Sequence, residues 1–221
     1  MKESAVRTKS APPLDGPPPD CPLCPRLAAF RQDNRAAHDS WFNGAVPAFG
    51  PGTARILVVG LAPGLHGANR TGRPFTGDYA GDLLYPTLLK FGLASGTYGA
   101  AFDDGLTLVD CRITNAVRCV PPANKPTPAE QRTCRDFLAA EIGALTRLRA
   151  ILALGRIAHD AVVSTLGLKK SAAPFGHGAL HHVSDKLLLA DSYHCSRYNV
   201  NTGVLTAAMF HDVVRKLLAA I

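Results

Sequence analysis

A short apolar run followed by a long glycine-rich loop is the feature that most limits how this chain can fold. Residues 56–59, ILVV, have the length and β-branched content of a buried parallel strand. The nineteen residues that follow, 60–78, are GLAPGLHGANRTGRPFTGD and contain five glycines and two prolines. A long loop without structure of its own, placed where a strand ends, is where α/β folds build ligand sites. The two segments therefore predict a parallel α/β protein with a recognition site at the end of this strand.

Strand-like and helix-like segments alternate along the rest of the chain. We predict strands at 55–60, 106–110 continuing toward 117, 150–154 and 187–192, and helices at 81–91, 128–144, 156–166 and 206–220. The helix at 128–144 has a clear start signal, because Thr127 can cap it and Pro128 suits its first turn. Alternation of this kind favours a mainly parallel sheet with helices on both faces. No repeat or second domain boundary interrupts it, so we expect one domain over residues 21–221.

Composition and charge restrict the class of protein. The chain has 221 residues, 47% of them hydrophobic, which suffices for one well-buried domain. No apolar stretch is long enough to span a membrane and the N-terminus lacks a secretory apolar region, so we expect a soluble cytoplasmic protein. Residues 1–20 contain five prolines and balanced charges, and we expect them to be disordered. The net charge of +7 is then carried by the folded part and favours a polyanionic partner. The alternative is a soluble protein that has a high isoelectric point and no such partner.

Four of the six cysteines form a pattern typical of a metal centre. Cys21 and Cys24 form a C-x2-C pair, and Cys119 and Cys134 form a second, wider pair. Because an intracellular protein keeps its thiols reduced, we do not expect a disulfide framework. The quartet indicates a tetrathiolate site for zinc or for an iron–sulfur cluster, and spacing alone does not separate the two. The alternative for each is an ordinary buried cysteine, which we expect for Cys111 on a predicted strand.

A second loop with reactive side chains follows the apolar run at residues 187–190. Residues 193–206 are YHCSRYNVNTGVLT, so His194 comes directly after a predicted strand end. Since the carboxyl ends of parallel strands meet at one edge of a sheet, we expect this loop to lie beside the loop at 60–78. Cys195 belongs to this loop and is too far in sequence from the quartet to be expected as a metal ligand.

Both loops and the cysteine spacing resemble those of the family 5, or B-type, uracil-DNA glycosylases, an iron–sulfur branch of the uracil-DNA glycosylase superfamily. The resemblance extends from Cys21 to the C-terminal helix and rests on GLAPGLHGANRTGRPFTGD, HCSRYNVNTG and the cysteine quartet. Family 4 enzymes share the cysteines but carry glutamate in the first motif, so Leu61 and the run Ala68-Asn69-Arg70 favour family 5. The resemblance implies a three-layer α/β/α sandwich, a structural [4Fe-4S] cluster on the quartet, and a monofunctional glycosylase that removes uracil from DNA.

The resemblance and the chemistry of N-glycosidic cleavage together give candidate roles. Asp78 would orient water and stabilise an oxocarbenium-like sugar, His194 would donate a hydrogen bond to uracil O2, and Asn115 would recognise the base edge. The expected base-binding residues are Leu61, Ala62, Gly64, His66, Asn115 and Phe75, the last by stacking on a flipped base. The expected DNA contacts are Arg70, Ser196, Arg197, Tyr198 and Asn199, of which the last four would fill the vacated space. Hypoxanthine, ethenocytosine and 5-hydroxymethyluracil are implied as further substrates, and we expect a monomer.

Several alternatives stay open at the level of the sequence. Asn115 could be a turn residue, and His66 or His177 could hold a loop by hydrogen bonding without touching DNA. The chain departs from the family at Cys195, where members often have proline, and at Val204, where they often have a basic residue. The competing functions are a DNA-damage-binding module without turnover and a zinc-stabilised nucleotide-binding domain. The glycine-rich loop lacks the phosphate-loop and dinucleotide-binding motifs that a nucleotide-binding domain would be expected to carry.

Overall fold

Within the described part of the chain, which is Leu14 and residues 16–221 of a computed structural model, a five-stranded sheet forms the centre. The strands are β1 (Ile56–Gly60), β2 (Ala94–Ser95), β3 (Thr107–Leu108), β4 (Cys111–Asn115), β5 (Ala150–Leu154), β6 (Leu180–Ser184) and β7 (Leu187–Ser192). The sheet has the order β4-β1-β5-β7-β6, in which β6 is antiparallel to β7 and the other neighbours are parallel. Strands β2 and β3 pair separately as a small hairpin. The mainly parallel sheet predicted from the sequence is confirmed.

Helices cover both faces of this sheet. They are α1 (Pro25–Ala37), α2 (Ala68–Thr71), α3 (Tyr79–Lys90), α4 (Pro128–Ala144), α5 (Arg156–Thr165), α6 (Arg197–Asn201) and α7 (Ala207–Ala219). Ile56 and Val58 of β1 pack with residues of α3 and α7, whereas Leu57 and Val59 pack with residues of α4 and α5. The predicted three-layer α/β/α arrangement is therefore confirmed. No helix of the described residues is long and apolar enough to cross a bilayer.

The predicted strand running from residue 106 toward 117 is wrong, because the chain divides into two strands there. Asp110, between β3 and β4, has a φ of 54°, which lies in the left-handed region and is incompatible with a continuing strand. Its carboxylate accepts hydrogen bonds from the backbone N–H and the Nε–H of Arg55 at 3.0 and 2.5 Å, which fixes the break. Strand β4 then joins the central sheet while β3 joins the hairpin.

Two elements carry sequence signals too weak to predict them. Helix α1 buries Leu27, Arg31 and Asn34, so its inward face is mostly polar and lacks the apolar period of an amphipathic helix. Strand β6 alternates between exposed and half-buried residues and offers no buried apolar run. The helix predicted at 128–144 coincides with α4, and Thr127 caps it by accepting a hydrogen bond from the Glu130 N–H at 3.2 Å.

The proline-rich N-terminal segment is attached to the domain over part of its length. The Ala45 N–H donates to the Pro19 carbonyl at 2.9 Å, and Asp20 forms an ion pair with Arg35 at 2.5 Å. The prediction that residues 1–20 are disordered therefore does not hold for 16–20, which these contacts fix to the domain. Residues 1–13 and 15, to which the same prediction applies, lie outside the described residues.

A buried ion pair fixes the long loop after β1 to the rest of the domain. The Arg73 guanidinium donates to both carboxylate oxygens of Asp104, at 2.8 and 2.6 Å, and to the Thr76 hydroxyl at 2.7 Å. It also lies over the rings of Phe49 and Tyr85, at 5.1 and 5.3 Å. The hydrogen bonds from Arg73 hold the pKa of Asp104 well below its usual range. The stabilisation is therefore present at neutral pH and is lost only as acid protonates this carboxyl.

Replacing Arg73 by methionine should lower the free energy of unfolding by about 3–5 kcal/mol, because Asp104 would keep a buried charge without its partner. Urea denaturation followed by circular dichroism measures the loss. Lys170→Met is the matched control: its ion pair with Asp160, at 2.8 Å, is on the surface, and removing it should cost less than about 1 kcal/mol. Equal losses in the two variants would contradict a special role for the Arg73 pair.

Candidate active site

A cavity of about 720 Å³ opens at the carboxyl ends of the parallel strands. The loops that follow β1, β5 and β7 border it, together with Asn115 at the end of β4. Its lining residues are Leu61, Ala62, Pro63, Gly64, Leu65, His66, Gly67, Ala68, Phe75, Asp78, Tyr79, Ala80, Asn115, Asn124, Leu154, Gly155, Arg156, Ile157, Ala158, Phe175, Tyr193, His194, Ser196, Arg197 and Asn199. The two loops predicted to meet at one edge of the sheet do so here.

Asp78 lies at the start of α3, with its carboxylate against the loop after β1. Its Oδ1 accepts a hydrogen bond from the Ala80 N–H at 3.1 Å, so the side chain caps the helix. Burial raises the pKa of this carboxyl, and hydrogen bonds from the Ala80 and Gly81 N–H groups lower it in part. A Cβ at Gly67 would clash with Asp78 Oδ2, and one at Gly64 would come within 3.1 Å of it. Because these two glycines have no Cβ, their backbone can lie close to the Asp78 carboxylate.

Phe75 forms a flat part of the cavity wall beside the end of β1. Its φ of 54° lies in the left-handed region, which bulky side chains rarely adopt. Its carbonyl accepts a hydrogen bond from the Tyr98 hydroxyl at 3.4 Å, which helps to hold this conformation. Gly60 pairs with Asn115 across the sheet, and a Cβ at Gly60 would clash with both the Phe75 ring and the Asn115 amide. The glycine therefore brings an aromatic ring and an amide together.

His194 follows β7 and contributes a second ring to the cavity. Its ring centroid lies 6.1 Å from that of Phe75, with an angle of 34° between the planes. Burial lowers the pKa of the imidazole, so the ring is neutral at neutral pH. The Asn199 side chain donates to the His194 carbonyl at 2.9 Å, and the Asn199 N–H donates to the Ser196 hydroxyl at 3.3 Å. These bonds fold the loop after β7 into a compact turn that supports His194.

The structure brings most of the predicted site residues to this cavity. All the residues proposed for catalysis or base binding line it. Of the predicted DNA contacts, Ser196, Arg197 and Asn199 line the cavity as well. Arg70 and Tyr198 are exposed and lie outside the lining.

The lining also contains residues that were not predicted from the sequence, among them Arg156, Asn124 and Phe175. Arg156 follows the end of β5, so the strand-end rule could have found it. Asn124, at the end of a short 3-10 helix (Pro122–Asn124), and Phe175 lie in no local pattern that marks them. His177 is absent from the lining; its Nδ1 accepts a hydrogen bond from the Tyr193 N–H at 3.1 Å, so it holds its loop.

The four cysteines of the predicted metal centre lie in one hydrophobic cluster. Cys21, Cys119 and Cys134 are buried there and Cys24 is half-buried. Burial, and after it the neighbouring Cys134, raises the pKa of the Cys119 thiol to about 12. Within the described residues, no three His, Cys, Asp or Glu side chains converge closely enough to hold a single metal ion.

Hydrogen-bond donors surround these sulfurs. Arg31 Nη1 donates to Cys119 Sγ at 3.6 Å, and the Arg118 N–H donates to Cys134 Sγ at 3.4 Å. Among the described residues, the buried atoms Arg31 Nε and Arg118 Nη1 have no hydrogen-bond partner. A guanidinium donor such as that of Arg31 suits an anionic thiolate better than a neutral thiol. Helix α1, which the sequence did not predict, supplies Arg31.

Cys111 and Cys195 lie apart from this cluster, in the main hydrophobic core. Cys111 is buried in β4, as expected. Cys195 is fully buried, and burial first and the nearby Asp78 second raise the pKa of its thiol. The position where family members often carry proline is therefore filled here by a core side chain. Val204, the other departure, is exposed.

Comparisons with known proteins agree on one family. A family model described as the uracil DNA glycosylase superfamily matches residues 47–218. A type-5 uracil-DNA glycosylase of Thermus thermophilus is 49% identical over 199 residues, which cover 88% of this chain and 90% of the relative. A type-5 uracil-DNA glycosylase of Mycobacterium tuberculosis is 42% identical over 204 residues, covering 89% and 76%. A type-4 uracil-DNA glycosylase of Pyrobaculum aerophilum is 36% identical over 149 residues, covering 67% and 62%.

Carbon-13 NMR titration of the carboxyl groups should give Asp78 a midpoint above the ordinary aspartate value, because burial disfavours its charged form. Asp212 is the internal control, since its hydrogen bond with Lys216 lowers its pKa. Proton NMR should show His194 titrating below the ordinary histidine value. An Asp78 midpoint at or below that of Asp212 would contradict the environment described here.

Proposed function

The chain belongs to the uracil DNA glycosylase superfamily, and from that premise we propose that it removes uracil from DNA by hydrolysing the N-glycosidic bond, which leaves an abasic site. The resemblance to the type-5 branch is confirmed by relatives of that name at 42% and 49% identity. The observation that carries the proposal is the cavity lined by Asp78, His194, Asn115 and Phe75. A carboxylate, a neutral imidazole, an amide and an aromatic face are the groups that this hydrolysis uses.

Asp78 would act on the sugar side of the bond. As the bond breaks, the sugar gains oxocarbenium character and the base leaves as an anion. An ionised carboxylate stabilises the positive sugar and can accept a hydrogen bond from the attacking water. Because burial raises the pKa of Asp78, the rate should fall on acidification at a higher pH than an exposed aspartate would give.

His194 and Asn115 would act on the base. A neutral imidazole N–H can donate to uracil O2, where negative charge develops as the base leaves, and the lowered pKa of His194 keeps the ring in that form. The Asn115 amide can donate to a carbonyl and accept from a ring N–H at once, which matches the uracil edge. Phe75 offers a face on which the base can stack.

DNA would approach from the open side of the cavity, with the target nucleotide rotated out of its stack. Unstacking costs a few kcal/mol, less at a mismatch. Residues 196–199 would fill the space that the rotated nucleotide leaves in the duplex. Support comes from Tyr198, which is 73% exposed beside the cavity. Arg70 and Arg197 would contact phosphates. We propose that the protein does this as a monomer on chromosomal DNA in the cytoplasm.

A wider set of bases belongs to the same proposal. The cavity of about 720 Å³ has room for bicyclic as well as single-ring bases. Hypoxanthine, ethenocytosine and 5-hydroxymethyluracil are therefore proposed as further substrates.

Cys21, Cys24, Cys119 and Cys134 would hold a [4Fe-4S] cluster with a structural role. Support comes from their shared hydrophobic cluster and from the donors that Arg31 and Arg118 direct at the sulfurs. When bound, such a group would join the N-terminal segment to the chain after β4 and to α4. Hydrogen bonds to the sulfurs stabilise thiolate ligands of this kind.

The test is excision on a labelled duplex that carries one uracil opposite guanine, followed by alkali cleavage of abasic sites. Strand breaks at the uracil position alone would support the proposal. The contrary outcome is a protein that keeps the visible absorbance of an iron–sulfur cluster and binds the duplex but produces no breaks. That outcome would replace the glycosylase proposal by the alternative of a DNA-damage-binding module without turnover.

Asp78→Asn should lower the single-turnover excision rate about a hundredfold or more, because the amide neither carries the charge nor accepts the water proton. DNA affinity, measured by fluorescence anisotropy, should change far less. Asp82→Asn removes an equal charge from an exposed position of the same helix and should leave both quantities nearly unchanged. Equal losses of rate and affinity in Asp78→Asn would make Asp78 a binding residue.

Cys21→Ala should yield poorly folded protein with reduced iron and sulfide, since one of four cluster ligands is lost. Metal analysis, visible absorbance and circular dichroism measure these changes. Cys111→Ala is the control, because it removes a buried thiol outside the cysteine cluster and should keep full iron content. A soluble, well-folded Cys21→Ala protein with full iron content would remove Cys21 from the ligand set.

A further inference from the structure

Tyr98 lies behind the cavity wall, in the loop between β2 and β3. It is half-buried and, unlike Phe75, does not line the cavity. Its hydroxyl donates a hydrogen bond to the Phe75 carbonyl at 3.4 Å. A Cβ at Gly81 of α3 would clash with both the hydroxyl and this carbonyl, so the glycine leaves room for their contact. The Tyr98 hydroxyl therefore joins its own loop to the loop after β1, beside the first turn of α3.

The Phe75 backbone needs support from outside its own loop. Its φ of 54° places a bulky side chain in the left-handed region, and such a conformation persists only where the surrounding structure fixes it. Burial raises the pKa of the Tyr98 hydroxyl to about 12, so the hydroxyl keeps its proton at neutral pH and can donate it. A hydrogen bond from the Gly77 N–H to the same hydroxyl lowers that pKa in part. The hydroxyl thus contacts the backbone both at Phe75 and two residues further along.

Other contacts hold Tyr98 itself in place. Its ring stacks on that of Tyr85, with centroids 4.6 Å apart and an angle of 25° between the planes. The Gly99 N–H donates a hydrogen bond to the Asp104 carboxylate at 2.9 Å. The same carboxylate accepts two hydrogen bonds from Arg73. One carboxylate therefore fixes both the loop that carries the hydroxyl and the loop that the hydroxyl contacts.

Comparison with Tyr85 shows why the Tyr98 hydroxyl suits a role in the site. The Tyr85 hydroxyl donates to the Pro74 carbonyl at 2.5 Å, but its ring is fully buried among core residues and so serves the fold. Tyr98 is only half-buried, and its hydroxyl acts on the peptide of a residue that lines the cavity. Loss of this hydroxyl should therefore disturb the direction of the Phe75 ring more than the stability of the domain.

We propose that Tyr98 is a positioning residue for base excision: its hydroxyl holds the Phe75 peptide so that the Phe75 ring faces the base that has left the duplex stack. Tyr98 does not touch the base and acts through Phe75. A ring that is held in place beforehand loses little freedom when the base enters, and small displacements of such groups lower a rate strongly. The proposal rests on the proposed function, because it takes a flipped base as the ligand of the cavity.

The experiment compares Tyr98→Phe with the wild type. This substitution removes the hydroxyl and keeps the ring that stacks on Tyr85. The single-turnover excision rate at saturating protein should fall about fivefold, which is the effect of one ordinary hydrogen bond. The affinity for an undamaged duplex, measured by fluorescence anisotropy, should stay at the wild-type value because no base enters the cavity. A full excision rate in Tyr98→Phe would overturn the proposal.

Ser95→Ala is the matched control, because it removes an exposed hydroxyl from the same hairpin. The Ser95 hydroxyl is hydrogen-bonded to that of Thr107, at 2.8 Å, between β2 and β3. Its loss should leave the excision rate unchanged, and an equal loss of rate in both variants would overturn the special role of Tyr98. If wild type releases no uracil, the proposed function itself fails. If wild type and Tyr98→Phe release uracil equally fast, only the positioning role fails.

Phe75→Leu tests whether Tyr98 acts through Phe75, because leucine keeps much of the volume but has no aromatic face. In this background Tyr98→Phe should change the excision rate by less than about twofold, which gives a coupling in a double-mutant cycle. Circular dichroism and urea unfolding of each variant show whether the fold is kept. A merely structural role of Tyr98 would lower the urea midpoint equally in both backgrounds and leave no coupling in the rate. Additive losses of rate in folded proteins would therefore overturn the action through Phe75.

Discussion

The buried pair between Arg73 and Asp104 holds the functional loop against the fold. The loop at 60–78 contains one short helix, α2, so regular backbone hydrogen bonding fixes little of it. The buried guanidinium of Arg73 fixes the loop instead. It donates hydrogen bonds to the Asp104 carboxylate and to the Thr76 hydroxyl, and three aromatic rings lie against it. Phe75 and Asp78 lie within five residues of Arg73. The positions of a cavity wall and of a candidate catalytic group therefore depend on one desolvated charge pair.

A second ionic network joins the cysteine cluster to the sheet. Glu141 of α4 accepts hydrogen bonds from Arg112 at 2.7 Å and from Arg118 at 2.5 Å. Arg112 belongs to β4, and Arg118 immediately precedes Cys119. Asn115 ends the same strand and lines the cavity. The cavity and the cysteine cluster thus share one short segment of chain, residues 115–119.

The sequence was sufficient to predict those elements whose position is set by a local pattern of residues. The run before residue 60 and the capped start of α4 are local signals, and the structure has both elements at the expected places. Helix α1 escaped prediction because its buried face includes Arg31, whose partner Cys119 lies elsewhere in the chain. The strand break at Asp110 depends on Arg55, and the position of Phe175 depends on His159. Long-range polar contacts of this kind leave no periodic signal in the sequence.

Two glycines change how variation in the loop after β1 should be interpreted. Surface loops ordinarily tolerate exchange more readily than the elements they connect. Here the space that a Cβ at Gly60 would need is occupied by Phe75 and Asn115, and the space at Gly67 by the Asp78 carboxylate. A diverging lineage could replace either glycine only by altering the side chain that faces it. Correlated exchange at these positions would then record a change of chemistry in the cavity, whereas scattered exchange elsewhere in the loop would record only drift.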